Sequence, residues 1–187
     1  PLIKEDKMSK ISTLLQIKNL KVSFNTDNGL IYPVDGVSLE INNGETLAVV
    51  GESGCGKSLT ALSIMGLIDK PGKIAEGEII FQDKDLVKIK KRNWQQIRGK
   101  ELAMIFQEPL TSLNPVFAIG NQILESICLH QKVNKQEAKK RSIELLKRVG
   151  IPRADKIYEY YPHSLSGGMR QRVMIAIALS CNPKLLI

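Results

Sequence analysis

The chain has 187 residues, 43% hydrophobic and 25% charged, enough for one globular domain or slightly more. No run of about 18 uncharged apolar residues exists to make a membrane-crossing helix. The three scattered cysteines suggest neither a disulfide framework nor a metal site and fit a reducing compartment.

Net charge is +8, and residues 109–187 carry 12 basic groups against 5 acidic ones. Such a surface is either simply solvated or turned toward nucleic acid or an anionic membrane. Aromatic residues there are too sparse for a base-stacking platform.

Residues 1–13 are expected to be a disordered leader. "LLQIKNLKVSF" then alternates at Leu15 and Ile17 and again at Leu20, Val22 and Phe24, with a slip at Asn19 that predicts a bulged strand. "TDNG" predicts a turn ending in Gly29, and "VSLEI" alternates once more at Val37, Leu39 and Ile41. After a turn at "NNGE", the unbroken apolar run "TLAVV" predicts a strand buried on both faces of a parallel sheet.

A helix over "KSLTALSIMGLI", a strand at "GEIIFQ", a short exposed helix at "KIKKRNWQQIRGK" and a second buried strand at "ELAMIF" follow. Beyond Pro109 the pattern is helical. In "NKQEAKKRSIELLKRVG", Asn134 is placed to cap and Glu137 to reach back. Ala138, Ser142, Leu145 and Val149 line one face, and Gly150 closes the helix. The last helix runs from near Ser166 to about Ser180, and "KLLI" begins another buried strand.

Between the "TLAVV" strand and the first helix, Gly51, Gly54, Gly56, Lys57 and Ser58 fill the pattern G-x-x-x-x-G-K-[ST]. The glycines let successive backbone N–H groups turn inward around phosphate oxygens, and the helix adds its positive end. Lys57 is expected on the β- and γ-phosphates and the Ser58 hydroxyl on Mg²⁺. Ser53 and Cys55 contribute to the cradle, Cys55 through its backbone; Leu59 offers only its N–H to the α-phosphate.

Two further elements narrow the reading. Gln107 ends a predicted strand in "MIFQEP", where its amide can approach Mg²⁺ and an attacking water. "LSGGMRQR" places Ser166, Gly167 and Gly168 at a helix start, a second anion-type element. One nucleotide does not need both from one chain, so the arrangement suggests two subunits that complete each other's sites.

"GESGCGKS", "FQEP" and "LSGGMRQR", in that order, resemble the ATPase subunit of ABC transporters, and the similarity runs from about Leu14 to Ile187. The resemblance implies an α/β fold of the P-loop NTPase (RecA-like) type, with an N-terminal antiparallel β subdomain and a helical subdomain. It implies ATP and Mg²⁺ as cofactors. It divides the chain into 14–108 (β subdomain and P-loop core), 109–165 (helical subdomain) and 166–187 (signature helix and the start of the next strand). In that family Ser166, Gly167, Gly168 and Gln171 would contact ATP held by the facing subunit, and Phe24 would stack on adenine.

"IFQEPLTSLNPVFAIGNQI" and "SLSGGMRQRVMIAIAL" resemble the first ATPase subunit of dipeptide and oligopeptide importers, a branch that includes nickel importers. This implies a heterodimer of two ATPases on the cytoplasmic face of the membrane. It also implies two membrane-spanning permease subunits and an external peptide-binding protein, and no nucleic-acid partner. The alternative is a soluble ABC-type ATPase acting on nucleic acid or ribosomes.

In the family a Mg²⁺-holding aspartate, a water-polarising glutamate and a γ-phosphate-sensing histidine follow a strand like "KLLI". They are absent from residues 1–187, so the sheet core is expected to be incomplete and the chain to bind ATP but hydrolyse it poorly. His163 precedes the signature and is read as an ordinary loop residue.

Overall fold

A computed structural model describes residues 12–27, 29–107 and 112–187. Most of the expected leader, Asn28 of the first turn, and Pro109 of "FQEP" lie outside the described residues. The chain forms two compact units, residues 1–90 and 91–187.

The first unit is built on an antiparallel sheet of β1 (Thr13–Thr26), β2 (Gly29–Asn42), β3 (Lys73–Phe81) and β4 (Lys84–Asp85), in the order β2-β1-β3-β4. Ser12, at the end of the expected leader, accepts a hydrogen bond from the Asn43 N–H at 3.0 Å, so ordered structure begins before Leu14. The predicted slip is present. Pairing of β1 with β2 shifts between Ile17 and Leu20, and Asn19 takes φ +48°. The bulge changes which parity faces inward, so Leu15 and Ile17 before it and Leu20 and Val22 after it are all buried. It also brings backbones together: a Cβ on Gly77 would stand 2.5 Å from the Asn19 carbonyl oxygen.

The described residues of this unit add one α-helix, α1 (Lys57–Met65), shorter than its apolar run because Gly66 takes a left-handed conformation at its end. Residues 46–50, the predicted buried strand, form none; Val49 is 55% and Val50 87% exposed. A parallel strand exists only through ladder bonds from its neighbours, and the described residues supply none to this segment.

The second unit opens with a 3₁₀ segment (Lys91–Gln96) in place of the expected short exposed helix; it buries Trp94, over whose ring Arg98 stacks at 4.5 Å. "ELAMIF" and "KLLI" are strand over two residues each, β5 (Leu102–Ala103) and β6 (Leu185–Leu186), which pair in parallel. The expected full burial stops there: Phe106 is exposed and Leu186 is exposed. With one partner strand between them, Leu102, Ala103 and Leu185 gain cover while Leu186, at the end of the ladder, stays exposed.

Helices described in full are α2 (Ile119–His130), α3 (Lys135–Arg148), α4 (Ala154–Ile157) and α5 (Gly167–Leu179). Ile119, Ile123 and Ile127 of α2 share a core with Ala138 and Leu146 of α3 and Val173 and Ala176 of α5. The Asn134 cap is formed, its side chain accepting from the Glu137 N–H at 2.9 Å. The reciprocal half is not. The Glu137 carboxylate instead accepts from Arg141 Nε at 2.9 Å, one turn on. The buried face of α3 is Ala138, Ser142 and Leu146, with Leu145 and Val149 half-buried at its edge. Gly150, at φ +79°, ends the helix as expected, and the Ile151 N–H reaches back to the Leu146 carbonyl at 2.9 Å.

Candidate nucleotide-binding site

The loop from Gly51 to Ser58 enters α1 through Gly56, whose left-handed backbone (φ 91°, ψ 0°) forms the N-cap without a side-chain hydrogen bond. No acidic residue occupies the first turn, so the positive end of the helix is not neutralised from within. Gly56 also lies against β2: a Cβ there would stand 2.6 Å from the Pro33 carbonyl oxygen and 3.1 Å from a Val34 methyl. The hairpin is therefore the wall that fixes the loop, and glycine is required on two counts. Gly54, at φ +85°, supplies the other left-handed turn.

Lys57 folds over the loop. Its ammonium donates to the Gly51 carbonyl at 2.8 Å and the Glu52 carbonyl at 2.6 Å, and lies 3.4 Å from Cys55 Sγ. Gly54, Gly56, Lys57, Ser58 and Leu59 line a pocket of about 130 Å³. None of these five is acidic, and the set offers an ammonium, a hydroxyl and the amides of a helix start. Those donors fit the phosphate end of a nucleotide. Gly51, Ser53 and Cys55 are exposed along the same loop. Thr60, at the base of the helix, is spent on structure, its hydroxyl donating to the Gly56 carbonyl at 3.0 Å.

Phe24 belongs to the same unit and is half-buried. Its ring lies over Gly72, where a Cβ would come within 2.5 Å of the ring edge. Gln107 belongs to the second unit and is exposed beyond β5. Among the described residues no group of three or more His, Cys, Asp or Glu side chains could hold a metal ion. The Ser58 hydroxyl of the loop suits a Mg²⁺ ion, which uses few protein ligands and would complete its shell with oxygens of the nucleotide.

Ser166 caps α5, its hydroxyl accepting from the Met169 N–H at 3.4 Å. Ser166, Gly167, Gly168 and Gln171 are all exposed, and nothing lies within 4 Å of where a Cβ on either glycine would stand. The element is thus presented at the surface of its unit. Two arginines hold it there, which the sequence reading missed: Arg170 Nε donates to the Pro162 carbonyl at 2.8 Å and Arg172 Nη1 to the Gly150 carbonyl at 2.6 Å. Their acceptors are main-chain oxygens, invisible in a residue pattern. His163 stacks on Tyr161 with ring centroids 5.8 Å apart.

Residues 34–187 match the family model described as ABC transporter. The chain is 57% identical over 178 residues to the oligopeptide transport ATP-binding protein AppD of Bacillus subtilis (strain 168), covering 95% of this chain and 54% of that protein. It is 47% identical over 174 residues to the dipeptide transport ATP-binding protein DppD of Escherichia coli (strain K12), covering 93% and 53%. The chain spans about half the length of these curated relatives. Among solved structures it is similar to the ATP-binding cassette MJ0796, in a dimeric post-hydrolysis state bound to ADP and Pi. The TM-score is 0.82 at 27% identity, over 92% of this chain and 72% of that one. With its phosphate loop, its antiparallel N-terminal sheet and this likeness in sequence and backbone, the chain belongs to the ABC transporter family and has the fold of its ATP-binding cassette.

Proposed function

We propose that this chain is part of an ATP-binding and ATP-hydrolysing subunit that energises import of di- or oligopeptides. The observation that carries the ATP reading is the pairing of two exposed anion-type elements on one polypeptide, the Gly51–Ser58 loop and Ser166-Gly167-Gly168. The peptide reading rests on the names of its relatives, oligopeptide and dipeptide transport ATP-binding proteins.

ATP is held by Gly51, Ser53, Gly54, Cys55, Gly56, Lys57, Ser58 and Leu59, with Phe24 against the base. Lys57 exchanges its two loop carbonyls for phosphate oxygens. Ser58 and Gln107 serve the Mg²⁺, which supplies charge neutralisation for phosphoryl transfer when bound. Ser166, Gly167, Gly168 and Gln171 act in trans, on nucleotide bound to a second ATPase subunit. Residues 14–108 form the β subdomain and P-loop core, 109–165 the helical subdomain on which two permease subunits dock, and 166–187 the signature helix with the strand after it. The assembly sits at the cytoplasmic face of the membrane, and an external binding protein delivers the cargo.

Affinity capture of the tagged full-length protein from detergent-solubilised membranes tests this reading. Recovery of a second ATPase and two membrane-spanning subunits is expected. Recovery with ribosomes or nucleic acid in their place, from a soluble fraction, overturns it.

A further inference from the structure

The second unit holds a cleft away from the signature, where α2 and α5 end beside α3. It has a volume of about 230 Å³ and is lined by Gln131, Arg141, Glu144, Leu145, Arg148, Ser180 and Asn182. Four of these, at 141, 144, 145 and 148, share one face of α3 by helical spacing. The opposite wall is made of two helix ends, Gln131 capping α2 and Ser180 capping α5.

That wall is locked. Gln131 Nε2 donates to the Ser180 carbonyl at 3.1 Å, and Gln131 Oε1 accepts from Arg141 Nη1 at 2.6 Å. The Ser180 hydroxyl lies 2.9 Å from that of Ser126. Arg141 is further fixed by Glu137 at 2.9 Å through Nε, and among the described residues its Nη2 has no partner.

Glu144 and Arg148 behave differently. Glu144 precedes Arg148 by four residues, the spacing and order in which such pairs favour each other on a helix. Yet among the described residues neither side chain has an ion-pair or hydrogen-bond partner. A carboxylate and a guanidinium thus flank the same cleft, each without a counter-charge, with half-buried Leu145 beside them.

We infer that this cleft binds a small zwitterion, a molecule of amino-acid or dipeptide size whose ammonium meets Glu144 and whose carboxylate meets Arg148. A simple anion would face Glu144, and a simple cation would face Arg141 and Arg148. One molecule carrying both charges satisfies all of them. The volume lies below that of pockets for drug-sized ligands, which sets the size class. The inference is independent of the ATP reading, since no residue of the phosphate loop or signature lines the cleft.

Calorimetric titration of the full chain with L-alanine and with L-alanyl-L-alanine tests it, with propionate and propylammonium as single-charge controls. Saturable binding of at least one zwitterion is expected, at least about tenfold tighter than either control, the scale of one charge-assisted hydrogen bond. The two zwitterions tell a free amino acid from a peptide. Glu144→Gln and Arg148→Gln should each weaken that binding by about tenfold or more. Both side chains are exposed, so the melting temperature should hold and show that the variants are folded. No saturable binding of either zwitterion overturns the inference. So do controls that bind as well as the zwitterions, or binding that neither substitution alters.

Discussion

Gly56 and the Pro33 carbonyl are in direct apposition: a Cβ on the glycine would stand 2.6 Å from that oxygen. The obstacle is main chain, in a strand held by β1, so it cannot swing aside as a side chain could. Gly56 also needs φ 91° to start the helix. Gly56→Ala therefore meets a clash and about 1–3 kcal/mol of backbone strain. The loop should be displaced, with ATP affinity reduced by more than about tenfold in a fluorescent-nucleotide titration. Wild-type affinity in the variant would show that the loop does not need this contact.

Lys57 has a role on both sides of binding. Its ammonium bridges the carbonyls of Gly51 and Glu52 at 2.8 and 2.6 Å, drawing the loop into a ring. A charge-assisted hydrogen bond nets about 1.5–3 kcal/mol, so Lys57→Ala should weaken ATP binding by roughly one to two orders of magnitude. Because the same change unties the loop, amide exchange at residues 51–56 should also speed up in the absence of ATP. Unchanged affinity sinks the assignment.

Cys55 is exposed, with Sγ 3.4 Å from Lys57 Nζ. The sulfur also lies 2.7 Å from where a Cβ on Gly51 would stand, so it fills the turn of the loop. An alkyl group on this thiol crowds the ammonium and the first glycine together. Alkylation at Cys55, located by mass spectrometry, should abolish ATP binding, and bound ATP should protect the thiol. Cys55→Ser should bind ATP and resist the reagent. Full ATP binding by protein alkylated at Cys55 contradicts this geometry.

What could be read from the residues was local. The phosphate loop, the slip at Asn19, the Asn134 cap and the Gly150 stop each depend on a few neighbouring positions, and each is present. Strands paired at long range were harder. "TLAVV" and "ELAMIF" have the composition of buried parallel strands, but such a strand is made by its neighbours, and here only Leu102–Ala103 finds one. Glu137 was misjudged for a related reason: Arg141 competes for its carboxylate and wins. The arginine anchors of the signature helix and the cleft beside α3 were illegible, because they join segments 8 to 49 residues apart through main-chain atoms.

Ser23 is a flaw in an otherwise satisfied sheet. Its hydroxyl is buried and has no hydrogen-bond partner among the described residues. An orphan of this kind costs about 1–3 kcal/mol of desolvation. Ser23→Ala removes the hydroxyl at nearly constant shape, so it should raise stability by about 1 kcal/mol, or roughly 2–4 °C in melting temperature for a chain of this size. A lower melting temperature would mean that the hydroxyl has found a partner after all.

His130 gives the fold a weak dependence on pH. The ring sits at the C-terminal end of α2, with Nε2 2.9 Å from where a Cβ on Gly99 would stand. The helix end favours a protonated imidazole. Burial opposes it, and the Lys100 ammonium adds to that opposition, so the pKa is lowered from its ordinary value. The unfolded chain then takes up the proton first, near its ordinary pKa of about 6.5. Stability is therefore greatest above that pH and declines as pH falls from there toward the lower folded pKa. Thermal melts on either side of about pH 6.5 should show this decline, and His130→Gln should flatten that part of the profile. If the glutamine variant loses stability over the same interval as fully as the parent, the acid sensitivity belongs to another group.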